Sequence, residues 1–283
     1  MDTCNGPQNK KQVLFIIGAT GTGKSKLSIY LATHFPAEIV NSDKMQVYRG
    51  LDVVTNKVPE EEQCGVPHHL IGMLDPNADF KVADFCFLAS ETIESILERD
   101  RLPIIVGGSN TYIEALVDAE SFEFRSKYDC CFIWMDVSLE VLDAYVSKRV
   151  DQMVHAGLVN EVKNMFEPEA DYNSGIRRSI GVPEMDRYIR LESTADEETR
   201  KELLKAAIDE TKSNTYKLAC RQYKKIQRLQ NLPWWNVHRI DATNVFLKEG
   251  REAAELWELL VGKPSIEIVE KFLYGCNVCI ASA

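Results

Sequence analysis

Gly18-Ala19-Thr20-Gly21-Thr22-Gly23-Lys24-Ser25 has the spacing of a phosphate-binding loop: Gly, four residues, then Gly-Lys-Ser. Glycines let such a loop wrap so that its N–H groups face phosphate oxygens, while Lys24 supplies a cation and Ser25 a hydroxyl that can hold Mg²⁺. The loop alone does not say whose phosphates it binds. Asn41-Ser42-Asp43-Lys44-Met45-Gln46-Val47-Tyr48 follows the next strand. Ligands of open α/β sheets sit at the carboxyl ends of strands, which puts Asp43 in the same crevice as the loop. There it is either a base or a cap on the following turn. Gly107-Gly108-Ser109-Asn110-Thr111-Tyr112 closes a further strand on that edge, either for close approach to a ligand or as a tight turn. Lys212 to Arg239 then carries seven Lys or Arg and no acid. Lys212, Arg221, Lys224, Lys225 and Arg228 read together as an anion clamp, with Arg221 and Arg228 near one helix face and Arg177-Arg178 adding charge.

Other chemistry-bearing residues carry less. Asp136 ends an apolar run in the manner of a Mg²⁺-binding Asp, but any buried strand reaching the surface can end so. His68 and His69 have no Cys or carboxylate at ligand spacing and read as satisfied loop histidines. Cys276 and Cys279 lack two further ligands, so no zinc site is expected.

These residues need a scaffold, and the chain supplies a βα alternation. Val13 to Ile17 is a continuous apolar strand and Lys24 to Phe35 a helix stopped by Pro36; Glu38 to Asn41 is the next strand. Val82 to Arg99 is helical, Pro103 to Val106 and Cys131 to Val137 are strands, and a helix with Leu139, Leu142, Val146, Val150 and Met153 on one face follows. Alternating strands and helices predict an α/β fold built on a parallel sheet flanked by helices. The expected division is a flexible arm over 1–12, a phosphate-loop core over 13–154, a smaller α-helical insertion or lid over 155–211, and a return to the core with a basic helix and C-terminal helices over 212–283.

Composition narrows the classes. The 283 residues carry 33 Lys and Arg against 43 Asp and Glu, a net charge of −10, which argues against a protein that coats nucleic acid. No apolar run approaches the roughly 20 residues of a membrane helix, so no membrane role is expected. The eight Cys, several inside apolar runs, read as reduced thiols. A cytoplasmic monomer is the expectation.

Taken together, Gly18 to Ser25, Asn41 to Tyr48, Gly65-Val66-Pro67-His68-His69-Leu70 and Gly107 to Tyr112 resemble the isopentenyltransferase family. The likeness continues through Arg149-Val150-Asp151, Gly157-Leu158-Val159, Arg178 to Glu184 and Asn214 to Leu229, nearly the whole chain. Lys44 after Asp43, where tRNA-modifying members typically carry Ser, makes the plant adenylate branch, the cytokinin synthases, the nearer likeness. The resemblance implies a phosphate-loop NTPase-like fold and transfer of a dimethylallyl group from dimethylallyl diphosphate to N6 of ATP, ADP or AMP. It implies Mg²⁺ at Ser25, donor diphosphate on Gly18 to Ser25, and Asp43, Lys24 and Arg221 in catalysis. Ser42, Asp43, Lys44, Gln46, Ser109, Thr111, Arg178 and Lys212 would hold the acceptor. Plant relatives occur in plastids and cytosol. Two alternatives are a tRNA dimethylallyltransferase, which net charge and chain length argue against, and an ATP-dependent small-molecule kinase with the same core and lid.

Overall fold

A computed structural model of the chain describes residues 10–118 and 123–275. Six parallel strands make one sheet in the order β3-β2-β4-β1-β5-β6. In chain order the elements are β1 (Lys11–Gly18), α1 (Lys24–His34), β2 (Ala37–Asn41), β3 (His68–His69), α2 (Val82–Glu98), β4 (Leu102–Val106) and α3 (Asn110–Asp118). They continue with α4 (Phe124–Lys127), β5 (Tyr128–Asp136), α5 (Leu139–His155), α6 (Leu158–Asn164), α7 (Asp186–Leu191) and α8 (Glu197–Gln230). Then come β6 (Val237–Asp241), α9 (Thr243–Phe246), α10 (Gly250–Trp257) and α11 (Lys263–Tyr274), the last two joined by a π-helical turn.

Central β1 explains why two helical layers are needed. Its alternate side chains leave opposite faces: Val13, Phe15 and Ile17 enter one apolar core, Leu14 and Ile16 the other. The first core is completed by Phe85, Ala89, Ile93 and Ile96 of α2 and by Ile226 and Leu229 of α8. Leu27 and Leu31 of α1, Leu142 and Val146 of α5 and Val269 of α11 complete the second. Burying each large apolar side chain contributes about 1.5–3 kcal/mol, and a strand buried on both faces reads as the uninterrupted apolar run seen in the sequence.

Several expected boundaries shift. The arm expected over 1–12 is shortened, because Lys11 and Gln12 already pair with Tyr128 and Asp129 of β5; residues 1–9 lie outside the described residues, as do Cys276 and Cys279. No break between elements falls at 211: α8 crosses that point, starting from Asp196, whose carboxylate caps it by accepting from Thr199 N–H at 2.8 Å. Two strands not expected from the sequence, one of them in a segment expected as loop, extend the sheet. His68 and His69 form the edge strand β3, with His69 Nε2 2.7 Å from Glu38 Oε2 and His68 Nδ1 2.8 Å from Val66 O. Val237–Asp241 forms the other edge, β6, in register with Phe132–Asp136. Its alternation of polar and apolar residues is too short to stand out from sequence.

Candidate active site

The ends of β1, β2 and β4 converge under α8. After β1, residues 18–25 turn into the N-terminus of α1; a Cβ on Gly18 would lie 2.6 Å from Met135 O and 2.7 Å from Thr22 Oγ1, so no larger residue fits. Lys24 is buried and donates from Nζ to Ala19 O at 2.7 Å, and Thr22 Oγ1 donates to the same oxygen at 3.0 Å. Burial lowers the Lys24 ammonium to about 8; neighbouring Asp43 opposes that shift and Arg149 reinforces it. Ser25 is exposed in the first helical turn.

After β2, Asn41 shapes the turn: its Oδ1 accepts from Asp43 N–H at 2.9 Å and its Nδ2 donates to Leu70 O at 3.0 Å. Asp43 Oδ1 accepts from Met45 N–H at 2.9 Å. After β4, Gly107 and Gly108 let this turn and α8 approach closely. A Cβ on Gly107 would lie 2.7 Å from Asp43 N and collide with Ser42, and one on Gly108 would collide with Gln222 Nε2 and lie 3.8 Å from Asp43 Oδ2. Ser109 Oγ accepts from Lys44 N–H at 3.0 Å.

Gln222 of α8 straps two of these loops together. Its Oε1 accepts from Thr20 N–H at 2.7 Å and its Nε2 donates to Gly108 O at 2.8 Å. Arg149 of α5 reaches the same place, donating to Thr20 Oγ1 at 3.0 Å. Burial disfavours its charge.

These elements enclose a cavity of about 620 Å³, within the usual range for small-molecule sites. Among the described residues lining it, Asp43 is the sole carboxylate, facing Lys44, Arg149, Arg178, Arg221 and Lys225. Lys225 and Arg228 are both paired with Glu114, which leaves Lys44, Arg149, Arg178 and Arg221 as the cavity's cations without a carboxylate partner among the described residues. Burial lowers Lys44, and Arg178 and Arg221 add to the effect against the pull of Asp43. The apolar wall comes from Met45, Val54, Val150, Met153, Ile180 and Leu218.

Of the residues expected at the site, Thr20, Asp43, Lys44, Ser109, Thr111, Arg178 and Arg221 line this cavity. Gly18, Ala19, Gly21, Thr22, Gly23, Lys24 and Ser25 belong to the loop beside it without lining it. Ser42 is buried beneath Gly107. The remaining two do not line the cavity. Gln46 spends its amide on Thr55 O and Asn56 O, at 3.0 and 3.1 Å, and Lys212 is paired with Asp151 at 2.7 Å outside the cavity. Asp136 is buried and held by Arg239, whose Nε donates to Oδ2 at 2.7 Å, and it does not line the cavity. Arg149, Gln222 and Asn110 stand in the sequence only within longer motifs, with no role assigned to them. The last two are uncharged, so no charge run marks them.

A loop at the N-terminus of α1, with cations and a lone carboxylate at the adjoining strand ends of a parallel sheet, defines a phosphate-loop NTPase-like protein equipped for group transfer. The IPP transferase family model matches residues 46–126 and 118–228, and the chain belongs to that family. "Adenylate isopentenyltransferase 3, chloroplastic" of Arabidopsis thaliana is 54% identical over 271 residues, covering 95% of this chain and 80% of that protein. "Adenylate isopentenyltransferase 7, mitochondrial" of the same plant is 53% identical, covering 95% and 82%. Among solved structures, the full-length tRNA isopentenylpyrophosphate transferase of Bacillus halodurans superposes with a TM-score of 0.71 at 28% identity, covering 93% of this chain and 98% of that one. The organelle terms in the two plant names overturn the cytoplasmic expectation.

Proposed function

We propose that this protein transfers the dimethylallyl group of dimethylallyl diphosphate to N6 of an adenine nucleotide, releasing diphosphate, as a first step of cytokinin synthesis. The observation that carries this reading is the single carboxylate, Asp43, set among cations beside a phosphate-type loop. The names of the plant relatives support it. They also support an organelle as the site of action, which a fluorescent fusion of the gene product would test by its localisation.

Breaking the allylic C–O bond leaves negative charge on diphosphate. The loop N–H groups, Lys24 and Arg221 stabilise that charge as it develops, and Arg149 holds Thr20 in place from behind. The adenine amine is a weak nucleophile because its lone pair is delocalised into the ring. As N6 bonds to the allylic carbon, Asp43 accepts an N6 proton, so the product leaves neutral at nitrogen. The apolar wall of Val150, Met153 and Leu218 suits the five-carbon group and keeps water from the allylic cation.

The residues fit Mg²⁺: the exposed hydroxyl of Ser25 at the start of α1 is a hard oxygen donor, and a metal shared with substrate phosphates needs few protein ligands. Ser25 would hold it, and it would offset charge on the departing diphosphate.

The test follows the mass of AMP, ADP, ATP and an unmodified tRNA anticodon stem-loop incubated with dimethylallyl diphosphate and Mg²⁺. A gain of one prenyl unit on a mononucleotide is expected, and Asp43→Ala should lower turnover by about 10²–10⁴ while leaving diphosphate affinity near normal. Prenylation of the stem-loop alone, or ATP turnover to ADP without donor, refutes the reading.

A further inference from the structure

Asn110 opens α3 at the cavity, and it presents an unusual pair of atoms. The residue is 3% exposed, and both its Oδ1 and its Nδ2 lack any hydrogen-bond partner among the described residues. A buried amide with neither half satisfied costs about 1–3 kcal/mol per unpaired group. Because donor and acceptor are both free, the vacancy is the same whichever way the amide is turned. Its own N–H bonds Gly108 O at 2.9 Å. A Cβ on Gly108 would lie 3.8 Å from Asp43 Oδ2, and Ser109 Oγ accepts from Lys44 N–H. Among the described residues, Asn110 lines the same cavity as Asp43, its one carboxylate.

A carboxamide offers one donor next to one acceptor. The complementary partner is a planar edge with a ring nitrogen beside an exocyclic N–H, which adenine has on both sides of N6. We infer that Asn110 is the residue that selects adenine, its Oδ1 accepting from one N6–H and its Nδ2 donating to the adjacent ring nitrogen. This rests on the reaction proposed above. The other N6–H is then left for Asp43, so the same contact that selects the base aims its amine. Guanine presents two acceptors, O6 and N7, on the corresponding major-groove edge and leaves Oδ1 of Asn110 facing an oxygen.

The test compares kcat/KM for adenine nucleotide and its 7-deaza and 1-deaza analogues in wild type, Asn110→Leu and Asn110→Ala. In wild type one analogue should lose roughly tenfold, the price of one buried hydrogen bond. In both variants adenine itself should lose at least that much, and the same analogue should cost nothing further; any change in amine reactivity caused by the analogue cancels between enzymes. Donor KM should stay unchanged, and Asn110→Leu, which removes two unpaired buried polar atoms, should melt no lower than wild type. Equal analogue penalties in wild type and variants, or a wild type indifferent to both, overturn the inference while leaving the reaction standing. If wild type prenylates no adenine nucleotide at all, the reaction itself fails and the inference with it.

Discussion

Replacing Gln222 by Leu keeps the volume of the side chain and deletes the two bonds that tie the phosphate-type loop to the end of β4. Two backbone groups lose their partners. Gly108 is buried, so its carbonyl bears most of the penalty of an unsatisfied polar group, about 1–3 kcal/mol. Thr20 is half-buried, and water reaching its N–H brings that contribution toward the lower end, about 1 kcal/mol. The sum is roughly 2–4 kcal/mol of global stability, measured by urea unfolding. Local opening should exceed global loss: backbone amides of residues 18–25 should exchange faster in the variant by a factor of about ten or more, because the loop is freed on one side. An unfolding free energy within about 0.5 kcal/mol of wild type, together with unchanged exchange in that loop, would refute the reasoning.

Three other outcomes are expected. Affinity for inorganic diphosphate should fall as pH rises through about 8, where the buried Lys24 loses its proton; Lys24→Arg, charged throughout, should lack that fall, and identical calorimetric pH profiles for the two proteins would contradict it. Glu38 is held below the usual carboxylate range chiefly by the hydrogen bond from Arg99, with His69 adding to it against a burial penalty. A lowered carboxyl stabilises the fold above its unfolded value of 4.5 and loses that contribution as pH falls through the folded value, so Glu38→Gln should flatten the acid limb of the stability profile; a limb as steep as wild type would count against it. Gly175 has φ +53° and a Cβ there would collide with Pro76 O, a backbone atom unable to swing aside. Gly175→Ala should cost about 2–4 kcal/mol in thermal or urea unfolding, and a neutral effect would be inconsistent with the close approach.

The parallel core was legible because its strands, buried on both faces, are apolar without interruption, and because a phosphate-type loop needs a strand before it and a helix after it. Asp43 was legible for the related reason that strand ends define where ligands sit. Charge proved a poorer guide than position. Lys212 and Lys225 belong to the same basic run as Arg221, yet Asp151 and Glu114, remote in sequence, neutralise them. Pairing partners brought together only by folding leave no trace in local spacing. Gln222 was hidden for the opposite reason: a neutral amide inside a basic helix draws its importance wholly from two backbone groups on other elements. The course of α8 through residue 212 was not legible, because composition changes there while the helix does not.

The unbroken course of α8 sets a rule for how this chain can vary. At 1.5 Å per residue its 34 residues span about 51 Å, and it packs against α7 while Arg221 and Gln222 stand over the cavity. Such a rod works as a ruler. Inserting or deleting a single residue between Thr211 and Arg221 would turn one end against the other by about 100° and slide it by about 1.5 Å, pointing Arg221 and Gln222 away from Thr20 and Gly108. Surface substitutions along that stretch cost little, whereas a change in its length misaligns every contact beyond it, so a gain or loss of residues should be tolerated in the loops on either side and not within the rod.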